Sequence, residues 1–297
     1  MTAMENSSSH PGTRAKSAIR ALDLIVALAG EQRGLSFTEL LRMLAVPKSS
    51  LHELLAVLTE RGFVEYERES RTYLLGIRVW ENGQAYLRHH ELVSMARPVM
   101  EHIVAQVNET VQVAVLDGVE NVYLAKVDCS HPLRLQSDVG RRLFSPPTGL
   151  GKVLLAALPE EARRARLQGC ELPRFTPQTI TDLPTLLSEL ASVRLRGFAV
   201  DDQEYTPGLL CVAVPIHDHS GRVAAAMSVS IPVIRAGHHQ LARALAALAA
   251  GSLEIARRLG CAQDDPLLVA LFQAPPEAGM LAPQAVRAIV PEVAALP

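Results

Sequence analysis

The residues of this chain best suited to chemistry fall into a few short windows. Between Glu39 and Glu53 the only charged residues are Arg42 and Lys48, which makes a locally basic stretch in a chain of net charge −2. In a helical projection Lys48, Ser49, His52, Glu53 and Ala56 share one side, with Ser50 beside the helix start, while Leu51, Leu54, Leu55 and Leu58 share the other. Small polar side chains at a helix N-terminus suit phosphate oxygens and base edges, because hydroxyls and terminal N–H groups donate to them. Arg68 and Arg71 form a second window that could reach a nucleic-acid backbone. Glu65, Glu67 and Glu69 beside them oppose phosphate, and a solvated hairpin tip explains the same residues. The near-zero global charge does not announce nucleic acid, so local placement has to decide.

Other windows invite other chemistry. Gly149, Leu150, Gly151 and Lys152 look like the end of a phosphate-binding loop, yet Pro146 stands at the first glycine position and Val153 where Ser or Thr is required. A thiol–imidazole pair of Cys211 and His217 would define a Cys-dependent enzyme. Cys211 sits in an apolar run with no cation nearby, which raises a thiol pKa rather than lowering it. His217, Asp218 and His219 resemble a metal cluster, but Ser220 and Gly221 follow directly and a hairpin turn is the simpler account. The four cysteines are too widely spaced for a disulfide framework or a metal motif. No metal or other cofactor is expected.

Elements must position these windows. Residues 17–30 put Ile19, Leu22, Ile25, Val26 and Ala29 on one helical face and end in glycine. Ser36 and Glu39 have capping-box spacing and open a helix over 36–44; Ala45 and Val46 turn the chain, and Pro47 starts a third helix that stops before Gly62. Residues 63–66 and 72–75 read as the arms of a hairpin. Three helices and a hairpin, with a tight turn between helices two and three, make a winged helix-turn-helix, whose third helix lies in the DNA major groove. Helices follow over 77–89 and 92–107, the second kinked at Pro98, with a domain boundary near His90.

From Thr110 the pattern changes to strands around Asp117 and Gly118, with a third strand near 133–137. Helices at 151–158, 160–167 and 183–196 precede two apolar strands joined at 218–221, and a helix over 239–259 closes the unit. Residues 261–297 are proline-rich without clear periodicity, and their deletion is expected to leave folding nearly intact. The fold class is α+β, mostly antiparallel. Of the 297 residues 48% are apolar, 20% charged and only 4% aromatic, which supports a globular core and argues against stacking platforms for single strands. The first ten residues lack a signal-like apolar stretch and no run suits a bilayer, so a cytoplasmic, soluble protein without a membrane partner is expected.

The windows over 17–29, 36–66, 71–83 and 197–230, in this order, resemble the IclR family of bacterial transcription regulators, and the likeness spans about residues 16–260. It implies a winged helix-turn-helix at 15–77, a linker helix at 78–91, a GAF-like effector domain with flanking helices at 92–260, and leaves 261–297 as an extension. It also implies a homodimer or dimer of dimers on a palindromic or pseudo-palindromic double-stranded operator, controlled by a small carboxylate metabolite. By the same resemblance Gly149 and Leu150 turn their N–H groups to that metabolite, and Leu135, Asp201, Leu209, Cys211, Ser228 and Ser230 line its pocket. Read without the family, Asp201 and Asp202 equally fit a solvated loop, Cys211 a packed core thiol, and the two serines a strand edge. A basic residue is common in the family at Glu53, which could instead accept from a cytosine amino group. A second domain that serves only dimerisation is the alternative to an effector domain.

Overall fold

The computed structural model describes residues 16–275 except 32, 90 and 134–137. The chain divides into two units, Met1–His89 and His90–Pro297. In the first, α1 (Lys16–Ala29), α2 (Phe37–Leu44) and α3 (Lys48–Glu60) enclose a core of Leu24, Leu28, Leu40, Leu51, Leu55 and Leu58. The capping box forms as the spacing predicts: Ser36 Oγ accepts from the Glu39 amide at 3.3 Å, and Glu39 Oε2 accepts from the Ser36 amide at 2.8 Å. Those bonds hold the Glu39 carboxyl below its usual range. Ala45 then takes a left-handed conformation, φ 49°, to turn the chain into α3.

The wing has three strands rather than the two expected. Strand β1 (Leu35–Ser36) pairs with β3 (Thr72–Leu75), which pairs with β2 (Val64–Glu67), in the order β1-β3-β2. Two residues are too few to show alternation, so β1 exists only through its remote partner. Helix α4 (Ile77–His89) ends this unit.

The second unit is built on a six-stranded antiparallel sheet ordered β6-β5-β4-β9-β8-β7. Its strands are β4 (Thr110–Asp117), β5 (Glu120–Val127), β6 (Arg142–Phe144), β7 (Ala199–Asp202), β8 (Leu209–His217) and β9 (Val223–Pro232). Helices α5 (Glu91–Val107) and α9 (His238–Arg258) cover one face, and α5 runs through Pro98 as a single helix. Helices α6 (Gly149–Ala157) and α8 (Leu183–Arg196) pack with the other face, and α7 (Glu160–Leu167) follows α6.

Alternation along the central strands sorts the side chains by size. Val212, Val214, Met227, Val229 and Ile231 join the α5/α9 core, whereas Ala114, Ala213 and Ala226 face α6. Small residues on that second face leave room beside the helix, and the cavity described below occupies the same side.

Two further expectations change, and a third lies outside the described residues. Helix α6 starts at Gly149, two residues before the expected 151, because Thr148 caps it by accepting from the Gly151 amide at 3.0 Å. Residues 134–137 lie outside the described residues, so the strand expected near them has no description there; β6 is the strand paired with β5 on that side. The extension is not all dispensable: α10 (Pro266–Gln273) has Asp265 as N-cap and packs on α9, with Leu268 fully buried and Leu271 6% exposed. Leu268 and Leu271 belong to the main core cluster, so deletion from 261 would open it.

Candidate functional site

In the first unit α3 turns Leu51, Leu55 and Leu58 inward and leaves Lys48, Ser49, His52, Glu53 and Ala56 exposed. Its N-cap is Pro47, which makes no side-chain cap bond, so the helix start stays open to an external acceptor. Ser50 is half-buried, and its hydroxyl accepts from Arg20 at 3.1 Å, tying α1 to α3 while keeping its own proton to donate. The His52 ring stacks on Phe37 of α2 at 4.3 Å, which fixes the ring and leaves its edge outward. Arg42, in the last turn of α2, is exposed. Arg68 and Arg71 are exposed at the hairpin tip, where Arg71 adopts a left-handed φ of 55°.

In the second unit Gly149, Leu150, Asp201, Leu209, Cys211, Ser228 and Ser230 line one cavity of about 620 Å³. Leu135 lies outside the described residues. Strand register explains the convergence, since Asp201 faces Cys211, Cys211 faces Ser230, and both Ala213 and Gln112 face Ser228. The Cys211 thiol lies 3.2 Å from Ser230 Oγ, and Ser230 Oγ donates to Gln112 Oε1 at 3.3 Å, giving a polar row across three strands. The loop into α6 is locked by buried bonds: Asn121 Nδ2 donates to Thr148 Oγ1 at 2.6 Å, Ser145 Oγ to Asn121 Oδ1 at 2.9 Å, and Thr148 Oγ1 to the Ser145 carbonyl at 2.9 Å. A Cβ at Gly151 would sit 2.0 Å from the Ser145 carbonyl oxygen, so only glycine fits there. With Thr148 occupied by the Gly151 amide, the amides of Gly149 and Leu150 have no acceptor among the described residues.

Asp201 is 4% exposed and accepts from the Glu204 amide at 2.8 Å. Burial pushes its carboxyl up to about 7 despite the opposing field of Lys152. Lys152 is turned into the interior, where Nζ pairs with Glu204 and donates to the Val200 carbonyl at 3.0 Å. A lysine committed this way cannot hold a nucleotide phosphate. Asp201 and Asp202 belong to edge strand β7 rather than to a solvated loop.

The Cys211 thiol is pushed up by burial and by Asp201, the reverse of activation. His217 is six positions further along β8, roughly 20 Å at 3.3 Å per residue, and its Nε2 lies 3.7 Å from Asp265 instead. Asp218 Oδ1 accepts from the amides of Ser220 and Arg222, so this acid closes the β8–β9 turn. Sequence reasoning missed Gln112, Tyr123 and Arg141, which also line the cavity. Gln112 was findable, because a polar residue between Val111 and Val113 must face the other side of the strand.

A winged helix-turn-helix joined in one chain to a domain holding a ligand-sized internal cavity defines a ligand-responsive DNA-binding regulator. Residues 17–68 match the family described as IclR helix-turn-helix domain, and residues 84–257 match Bacterial transcriptional regulator IclR C-terminal. The HTH-type transcriptional regulator BhcR of Paracoccus denitrificans is 33% identical over 252 residues, 84% of this chain and 88% of that protein. The crystal structure of the Thermotoga maritima IclR is 30% identical with a TM-score of 0.69, covering 82% of this chain and 99% of that one. An IclR homolog from Microbacterium hydrocarbonoxydans, solved in complex with 4-hydroxybenzoate, is 26% identical with a TM-score of 0.73, covering 82% and 98%. The chain belongs to the IclR family. It is a DNA-binding transcription regulator with a C-terminal effector-binding domain, and not an enzyme.

Proposed function

We propose that the cavity takes a small carboxylate whose oxygens accept from the Gly149 and Leu150 amides, with the Ser228 and Ser230 hydroxyls alongside. The observation that carries this reading is the pair of acceptorless amides at the start of α6, facing a polar row on an otherwise small-residue sheet face. The 4-hydroxybenzoate bound by the Microbacterium homolog supports a carboxylate ligand. Asp201 meets a hydroxyl or hydrated carbonyl of the effector, Cys211 packs beneath, and Leu209 supplies apolar wall.

On DNA, α3 enters the major groove with Lys48, Ser49 and Ser50 on phosphate and His52 and Glu53 toward base edges. Arg42, Arg68 and Arg71 contact the backbone. Exposed apolar residues on α1 (Ile19, Leu22, Val26) and α4 (Ile77, Trp80) support a second copy covering that surface, hence a homodimer or dimer of dimers on an inverted-repeat operator. Residues 78–91, of which 90 lies outside the described residues, link the 15–77 and 92–260 domains chiefly through α4. No described helix is long and apolar enough to cross a membrane, which agrees with work on DNA in the cytoplasm. The effector changes operator affinity by binding the DNA-competent and incompetent arrangements unequally.

Replacing Ser228 and Ser230 together by Ala tests the pocket. The affinity for the tightest-binding acid in a thermal-shift screen of short carboxylates and 4-hydroxybenzoate should fall by about 1–3 kcal/mol in calorimetry, with effector-free DNA binding intact. Unchanged affinity moves the pocket elsewhere, and lost DNA binding makes the serines structural. A wild type stabilised by no acid leaves the second domain as a dimerisation module.

A further inference from the structure

The cavity has two chemically distinct ends, and the reading above uses only one. The Gly149 and Leu150 amides lie over β7 and β8: a Cβ at Gly149 would touch Ala213 Cβ, the Cys211 carbonyl and the Asp201 amide. At the other end stand Tyr123 of β5 and Arg141, immediately before β6. Backbone bonds fasten these two side by side: the Tyr123 amide donates to the Arg141 carbonyl at 3.0 Å, and the Gly140 amide to the Tyr123 carbonyl at 2.7 Å.

The Tyr123 ring packs in the core beside α6, but neither its hydroxyl nor the Arg141 guanidinium has a hydrogen-bond partner among the described residues. Tyr123 is 4% exposed and lines the cavity, yet its hydroxyl makes no hydrogen bond among the described residues. Buried phenol hydroxyls normally find an acceptor. Arg141 is exposed, lines the same cavity, and its guanidinium has no carboxylate or carbonyl partner among the described residues. Its neighbour Arg142, by contrast, is paired with Asp117 and Glu120. Among the described residues the only acid lining the cavity is Asp201, on edge strand β7. One hydroxyl donor and one cation therefore face a cavity whose acid, Asp201, is bonded to the Glu204 amide and hydrogen-bonds to neither of them among the described residues.

Distance decides what can join the two ends. In the order β5-β4-β9-β8, Tyr123 and Cys211 stand on strands three apart, roughly 14 Å between backbones at about 4.8 Å per strand. The phenol reaches back across part of that gap. A cavity of about 620 Å³ has room for a molecule long enough to meet both groups at once. Resting on the carboxylate reading above, we infer that the effector is a dianion, specifically a dicarboxylate, with one carboxylate on the Gly149 and Leu150 amides and the other accepting from the Tyr123 hydroxyl and the Arg141 guanidinium.

The test uses the full chain and two matched series: unbranched α,ω-dicarboxylates of three to eight carbons and unbranched monocarboxylates of the same lengths, followed by calorimetry. At the best length the diacid should bind at least about tenfold tighter than the monoacid, the scale of a charge-assisted hydrogen bond. Arg141→Gln and Tyr123→Phe should each remove about five- to tenfold of diacid affinity and leave monoacid affinity and effector-free operator binding within about twofold. Monoacids equal to or tighter than diacids at every length overturn the inference while leaving the carboxylate cradle standing. Variants that weaken both series equally also overturn it, since the two residues would then only support the wall. If no acid of either series binds, the cradle reading falls and takes this inference with it.

Discussion

Lys48 and Lys152 show how differently the two units use the same side chain. Lys48 stands exposed at the start of α3, with no ion pair or side-chain hydrogen bond among the described residues. Lys152 is 1% exposed within α6, pairs with Glu204, and is one of the largest fully buried side chains in the molecule. The first unit presents its polar residues outward on a small leucine core, so its chemistry is separable from its stability. The second unit encloses polar residues between a helix and a sheet, so groups beside its cavity also hold the fold. Substitutions should therefore change binding alone in one unit and stability in the other.

The largest expected effect is that of Lys152→Met. It keeps an aliphatic stem but leaves the buried Glu204 carboxylate unpaired, and Glu204 Oε2 already lacks a hydrogen-bond partner. Stability in urea should drop by roughly 3–5 kcal/mol; a change below about 1 kcal/mol would erase the contrast. Next is Leu268→Ala in α10, whose side chain is fully buried in the main core. A loss of about 3 kcal/mol is expected, and a neutral result would show that the extension packs loosely.

Asp201 gives a smaller, pH-dependent effect. Its folded carboxyl lies at about 7 against an ordinary value of 3.8, with burial as the main cause. The neutral acid is favoured in the folded state, so this contribution is complete below about pH 4 and is lost as pH rises toward 7. The buried Glu204 carboxyl is raised as well and adds in the same direction. Asp201→Asn keeps an acceptor for the Glu204 amide and should flatten the fall between pH 4 and pH 7 by roughly 2 kcal/mol. Parallel stability–pH curves for the two proteins would refute the assignment. The smallest effect on stability belongs to Lys48→Ala, within about 0.5 kcal/mol, while the salt dependence of DNA binding should lose about one unit of slope. An unchanged slope would remove Lys48 from the phosphate contacts and weaken the contrast from the other side.

What was legible in the sequence follows the same division. The helix-turn-helix rests on local signals, namely the Ser36–Glu39 box, the turn at Ala45 and the leucine spacing of α3, and those reach the page without knowledge of remote partners. The cavity depends on pairings between segments far apart in the chain. Gln112 meets Ser230 across 118 residues, and Asp201 looks like loop until β8 pairs with it. The Arg20 to Ser50 bond was invisible for the same reason. Helix α10 does carry a local sign, since Asp265 followed by Pro266 is a helix start, but the surrounding prolines obscure it. Strand alternation did expose Ser228 and Ser230 as sharing one face, and only the register with Cys211 shows what that face encloses.

The tight fit around Gly151 restricts how this regulator can change its ligand over evolutionary time. No other residue can stand against the Ser145 carbonyl without displacing the whole loop that Thr148 and Asn121 hold. The end of the cavity beneath α6 is therefore closed to gradual drift by point mutation at that position. The Tyr123 hydroxyl, at the far end, makes no hydrogen bond among the described residues, and the segment from Tyr205 to Leu209 contributes five consecutive residues to the lining. A lineage of such proteins would diversify by keeping one end of its ligands constant and exchanging the other, so new specificities would arise as variations on a shared head group.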